Sequence, residues 1–201
     1  AIDAAQAIYD NAEANLIEVL EAQNALKDAI EVYRKQNVSE DSPLEYTEYI
    51  INPSFENGND GWTNVGLANQ SNNSFTKKNG GYYMEKWVGS GSVGDASIKQ
   101  TIKGLPNGIY KITVAAQNYT QTNTSKKNTG AYIFAGDQQT TVYTPADYSV
   151  KFPIISGEVE IGFIAKGATG NWICVDNFRL YLIGKVDAEA VVAEVKRIIA
   201  D

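Results

Sequence analysis

The chain has 201 residues, 43% of them hydrophobic, with 24 acidic and 17 basic side chains and a formal charge of −7. That suffices for one substantial core with a small appendage, and no apolar run approaches the ~20 residues a bilayer-spanning helix needs, so membrane insertion is not expected. The charge is unevenly placed: residues 1–45 carry ten acids against Lys27, Arg34 and Lys35, whereas residues 46–184 carry ten acids and eleven bases without a basic stripe, which argues against nucleic acid and for a neutral ligand.

Residues 1–37 contain no Gly or Pro and are rich in Ala, Glu, Leu and Ile. Ile2, Ala5 and Tyr9 predict a short first helix that ends at Asp10-Asn11. Asn15 followed by Glu18 has the form of a capping box, opening a second helix whose Leu16, Val19, Leu26, Ile30 and Tyr33 share one face. Residues 1–40 are therefore expected to form a helical hairpin, with Ser39 to Pro43 as its exit.

From about Tyr46 to Gly184 the texture is β. Tyr110, Ile112 and Val114 alternate with Lys111 and Thr113, and Val159, Ile161 and Phe163 alternate with acids. Turn signals such as Asn57-Gly58, Leu105-Pro106-Asn107-Gly108 and Ser156-Gly157 separate the runs. Many short strands with no helical pattern between them predict an antiparallel β-sandwich or jelly roll over 46–184. Residues 185–201 turn helical again, with Asp187 as N-cap and Val191, Val195 and Ile198 in a stripe. That helix is expected to pack on the N-terminal hairpin as a small bundle; the other reading is that it opens a following helical module.

Histidine is absent and Cys174 is the single cysteine, which excludes disulfides, His-based acid–base chemistry, most zinc sites and Cys–His nucleophiles. Cys174 lies in the apolar run Trp172 to Val175 and is expected to be a buried, inert thiol. No enzyme chemistry is expected. The sequence begins Ala-Ile-Asp, without a starter Met or signal peptide, as expected of an excised fragment.

Four stretches carry a family likeness. Ile51 to Gly58 followed by Gly61-Trp62, Gln100 to Tyr110, Gly157 to Gly162, and Asn171 to Leu180 come in the order seen in galactose-binding-like β-sandwiches, the carbohydrate-binding modules appended to secreted bacterial glycoside hydrolases. Over Ile51 to Gly184 the chain resembles these modules, and residues 1–37 resemble the FIVAR-type helical repeats of bacterial surface proteins. The resemblance implies an exported location (periplasmic, cell-surface or extracellular). It also implies a polysaccharide or oligosaccharide ligand, and other domains of a parent protein as partners. In such modules two carboxylates from the first and last strands, here Glu56 and Asp176, commonly hold a structural Ca²⁺ with backbone carbonyls. The residues alone also allow Glu56 to cap the Asn57-Gly58 turn and Asp176 to pin a neighbouring loop.

Trp62 and Trp172 read as core plugs. Tyr83, Glu85 and Trp87 share one strand face and combine an aromatic platform with a carboxylate, the combination that binds a sugar's C–H face and hydroxyl rim. Asn118 and Tyr119 are expected to join them if strand and loop converge. The competing reading packs Tyr83 and Trp87 across the sheet and leaves a structural spacer or protein-interaction module without a sugar site. The stretch Tyr119 to Gly130 is polar, lacks apolar anchors and reads as a long exposed loop.

Overall fold

The computed structural model describes residues 1–187 together with Glu189, Val192 and Lys196. Helix α1 (Ile2–Tyr9) and helix α2 (Leu16–Gln36) form the expected hairpin. Asn15 Oδ1 accepts the N–H groups of Ile17 and Glu18 at 3.0 and 3.1 Å, while Glu18 Oε2 accepts the Asn15 N–H at 2.9 Å. Those reciprocal bonds satisfy amides that have no partner inside the helix. No described residue of either helix is fully buried. Asp187 Oδ1 accepts the Glu189 N–H at 2.9 Å, as an N-cap does. The rest of the expected C-terminal helix, and its packing on the hairpin, lie outside the described residues.

Among the described residues eleven strands follow: β1 (Leu44–Glu45), β2 (Thr63–Val65), β3 (Ala68–Gln70), β4 (Tyr83–Trp87), β5 (Gly94–Lys103), β6 (Gly108–Tyr119), β7 (Ala131–Ala135), β8 (Gln138–Thr141), β9 (Ala146–Ile154), β10 (Glu158–Ala168) and β11 (Trp172–Gly184). They make two antiparallel sheets, one in the order β3-β4-β11-β6-β9 with β1 also on β11, the other β2-β5-β10-β7-β8. The architecture is the antiparallel β-sandwich that the alternating pattern predicts. One edge of β11 is taken in succession. Leu44 pairs with Leu182 and Glu45 with Tyr181, Tyr46 N–H donates to Leu180 O, Phe178 N–H donates to Pro53 O, and β4 then pairs with Trp172 to Val175.

The main core lies between the sheets. Met84, Ile112, Val114, Ala116, Ile173, Val175, Phe178 and Leu180 from one sheet meet Ile98, Ile102, Ile133, Ile161 and Phe163 from the other. Trp62 is 6% exposed, packs on Phe55 and Phe178 with ring centroids 5.2 and 4.6 Å away, and donates its indole N–H to Ile51 O at 2.8 Å. It plugs the core, as its sequence position suggests. Gln100, in the hairpin segment, ties that same corner: its Oε1 accepts Ile51 N–H and its Nε2 donates to the carbonyls of Ile51 and Gly61.

Strand alternation fails along one end of the β3-β4-β11-β6-β9 sheet. In β6 buried and half-buried residues alternate from Gly108 to Val114, but Ala115, Ala116, Gln117 and Asn118 are all buried; in β11 the unbroken run is Trp172 to Asp176. At this end the sheet is covered on both faces. The second cover is the segment 71–82 between β3 and β4, which places Phe75 against Tyr83 (ring centroids 5.4 Å) in a small cluster with Ala115, Trp172 and Cys174. Cys174 is fully buried and free, and burial pushes its thiol well above the ordinary value.

Gly162, in the middle of β10, has no room for a side chain: a Cβ there would run into Ile98 O and the Phe134 ring. Gly162→Ala is expected to destabilise the sandwich by about 1–3 kcal/mol through overpacking, read as a lowered midpoint in denaturant titration with unchanged slope.

Candidate functional site

On the face of the β3-β4-β11-β6-β9 sheet that points away from the main core, pairing brings side chains into rows. Trp87, Trp172 and Tyr119 form one row; Glu85, Cys174 and Gln117 form the next. Further along, Asp176 lies opposite Ala115 and is covered by segment 71–82. The segment stops short of the Trp87 end. What it leaves open is a cleft of about 260 Å³ lined by Gln70, Asn72, Ser74, Glu85, Trp87, Gln121 and Trp172.

Each wall is fixed by hydrogen bonds. Glu85 Oε1 accepts Gln70 Nε2–H at 3.0 Å, and Glu85 Oε2 accepts Trp172 Nε1–H at 2.8 Å. The Tyr83 hydroxyl lies 3.2 Å from Glu85 Oε2 and 2.9 Å from Asn72 Oδ1, one proton between two acceptors. Desolvation, with Glu85 and the Cys174 thiol nearby, holds that phenol far above its usual range, so it stays protonated. Trp87 is 54% exposed, and its Nε1–H donates to Gln121 Oε1 at 2.7 Å. The indole edge is tethered while much of the ring faces solvent, the posture of a stacking platform.

Of the five residues expected to bind sugar, the structure brings Glu85 and Trp87 into the cleft. Tyr83 is fully buried directly beneath it, reaching it only through its hydroxyl. Tyr119 packs edge-on against Trp172, with centroids 6.4 Å apart. Asn118 does not join them. Strand parity puts it on the opposite face, where its amide donates to Thr129 O at 3.0 Å and accepts Gly170 N–H at 3.1 Å. The loop after β6 is exposed from Gln121 to Lys127, as expected, and is anchored at its far end. Asn128 is fully buried, donating to Asn118 O and accepting from Thr120 Oγ1, so polar rather than apolar anchors pin it. Gln70, Asn72, Ser74 and Gln121 were not singled out by the sequence. For the first three the signal was the amide-rich run Asn69-Gln70-Ser71-Asn72-Asn73-Ser74, which reads as an ordinary turn until β4 is seen beside it; nothing local marked Gln121.

Glu56 and Asp176 both grip segment 71–82. The Glu56 carboxylate accepts Gly81 N–H on both oxygens, at 2.9 and 3.0 Å, and Tyr82 N–H on Oε1 at 3.1 Å. Asp176 Oδ2 accepts Asn79 N–H and Oδ1 accepts Asn177 N–H, each at 2.7 Å. Asn52, Phe55 and Asn177 all have φ of 50–53°, and Gly80 has φ +90°. For Phe55 that conformation costs of order 1 kcal/mol or more and is held by a fully buried ring. Calcium takes ~6–8 oxygen ligands. Here the position between the two Glu56 oxygens is filled by the Gly81 N–H, a Cβ on Gly80 would strike the same carboxylate, and no group of three His, Cys, Asp or Glu gathers among the described residues. The residues as arranged do not fit a calcium ion; the pair is a clamp on backbone amides.

Asp176 is fully buried, and its carboxyl is pushed up to about 7. Desolvation is the main cause, opposed by the amides of Asn79 and Asn177 and reinforced by the nearby Glu56.

No protein-family profile matches this chain, and no curated protein matches it. Solved structures do share its fold. A family 61 carbohydrate-binding module in complex with β-1,4-galactotriose superposes with a TM-score of 0.53 at 18% identity, over 67% of this chain and 97% of that one. A Stig cyclase from Fischerella sp. TAU gives 0.52 at 18% identity, over 72% and 100%. A further cyclase from the same source gives 0.51 at 16%, over 73% and 100%.

Two outcomes follow for the clamp. Chelation with EGTA, or addition of millimolar Ca²⁺, is expected to leave the thermal midpoint within about 1 °C, because backbone amides already engage both carboxylates. The folded state also holds the Asp176 proton more tightly than the unfolded chain, whose value is near 3.8. Its contribution is therefore complete below about pH 3.8 and is lost as pH rises through about 7. Relative to Asp176→Asn, the parent should gain stability between about pH 7.5 and 5, by at most about 1.4 kcal/mol per pH unit. A bound calcium would instead hold the carboxylate ionised, so this gain would be absent and any loss would fall below about pH 4.

Proposed function

We propose that this chain is a non-catalytic carbohydrate-binding module of an exported, glycan-degrading or glycan-binding parent protein. The observation that carries the reading is Trp87: an indole half in solvent, oriented by Gln121, beside the Glu85 carboxylate in a cleft otherwise lined with amides, a hydroxyl and the Trp172 indole. Sugars offer an apolar C–H face and directional hydroxyls, and this wall offers a partner for each. The shared fold with a module solved in complex with a galactotriose supports the reading. The cyclases on the same fold are the reason to argue from the cleft rather than from architecture.

A binding role suits the chemistry of the cleft better than a catalytic one. Glycoside hydrolysis commonly uses two carboxyl groups about 5–9.5 Å apart. The lining holds one, Glu85, and it is already engaged by Gln70, Trp172 and Tyr83. The competing reading, a spacer or protein-interaction module, draws its support from Phe75 and Tyr83, which fill the middle of the outer sheet face where a long sugar chain would otherwise lie.

Titration against a panel of plant and host glycans separates the two. At least one neutral glycan is expected to bind with an affinity in the range of about 10 μM to 1 mM. Trp87→Ala should weaken it tenfold or more, which is about 1.4 kcal/mol, while changing the thermal midpoint by less than about 2 °C. Silence across the whole panel would leave the spacer reading standing.

A further inference from the structure

We infer that the Glu85 cleft selects for an uncharged sugar ring and rejects its uronate counterpart; the inference rests on the carbohydrate reading and names the substrate class of that site. Glu85 is the one charged side chain among the described residues that line the cleft. Its neighbours are donors without charge: an amide, an indole and a phenol held protonated. A carboxylate accepts about four hydrogen bonds; Gln70 and Trp172 supply two and the Tyr83 hydroxyl, shared with Asn72, at most a third, so Glu85 can take at least one more, from a ligand hydroxyl. A second carboxylate brought to the same place has no proton to give and meets a like charge, with no cationic side chain among the lining residues.

Four lysines nearby in sequence are tied down away from the cleft lining, one by an anion and three by neutral oxygens. Lys77 pairs with Asp147 at 2.8 Å. Lys78 Nζ donates to Ser71 O, Asn73 Oδ1 and Gly81 O, stitching segment 71–82 to itself. Lys86 Nζ donates to Asp95 O, and Lys126 Nζ to Thr169 O. None of them is among the lining residues.

Size sharpens the argument. About 260 Å³ is below the ~300–1,000 Å³ of pockets that enclose drug-sized ligands, so one ring at a time contacts Trp87 and the rest of a chain stays in solvent. Substituents on that ring then lie within a few ångströms of Glu85, well inside the ~10 Å Debye length at 0.1 M salt. A C6 carboxylate on the bound ring therefore feels Glu85 directly, whereas a C6 hydroxyl can donate to it.

The test is calorimetric titration of the whole chain with matched pairs, trisaccharides of galactose, glucose and mannose beside their 6-uronate counterparts, at about 0.01 M and about 1 M salt. The expected result is at least a tenfold preference for the neutral member of whichever pair binds at low salt. That preference should narrow to about threefold or less at high salt, where the Debye length falls from ~30 to ~3 Å. Neutral binding itself should change little. Glu85→Gln should narrow the low-salt preference in the same way while weakening the neutral ligand severalfold, and the salt series on the parent decides the matter even if that variant folds poorly. Equal or tighter uronate binding by the parent at low salt overturns the selectivity and spares the carbohydrate reading. No binding to any member of the panel overturns both.

Discussion

Everything on the outer face of the sandwich depends on how segment 71–82 is held down. Asn79, Gly81 and Tyr82 each donate a backbone amide to a carboxylate, and those two carboxylates come from opposite ends of the β-region, Glu56 and Asp176. With the segment in place, Phe75 closes over Tyr83 and Cys174, and Asn72 and Ser74 become a wall of the cleft. Without it, the apolar half of that face would stand in water, and Glu85 would be left to solvent on one side. The clamp touches no ligand, yet it sets the position of residues that would. Its glycine pair is part of the device: only a residue without Cβ lets the chain pass so near the Glu56 oxygens at φ +90°.

Much of this was legible in the chain. The two-residue rhythm at Tyr110, Ile112 and Val114 gave the sheet, Asn15 with Glu18 gave the start of the long helix, and Gly61-Trp62 gave the plug. The rhythm was readable because one face of the sheet meets the core and the other meets water. Where both faces are covered, at Ala115 to Asn118, it disappears, and parity becomes impossible to assign from residue type alone. Asn118 illustrates the consequence: a polar residue beside an aromatic looks like a ligand group, but it is a buried crosslink between the 128–130 and 169–170 turns. Gln70 and Gln121 were illegible for another reason. Their meaning comes from partners 15 and 34 residues away, Glu85 and Trp87, and nothing local marks such a pairing.

The same sandwich is found in a sugar-binding module and in cyclases, so architecture alone leaves function open. What distinguishes one use from another is how much of the outer face is left uncovered and what chemistry is exposed there. In this chain the cover leaves a small opening, with one aromatic face and one carboxylate already braced by three donors. Bracing matters more than inventory. A Glu85 free to rotate would hydrate and blur any preference, whereas one fixed by Trp172 and Gln70 presents its remaining lone pair in a single direction.

The chain arrives at the sandwich through Leu44 and leaves it beyond Leu182, and these two residues face each other in an antiparallel pair. Tension applied between the two chain ends would therefore act across the hydrogen bonds of β1 and β11 at their outermost pair, peeling them one after another rather than shearing several at once. Pulled this way the β1 strap yields early, while the β6–β11 and β5–β10 pairings deeper inside keep their registers. Under such a load the unit would lengthen before it lost the part that carries the cleft.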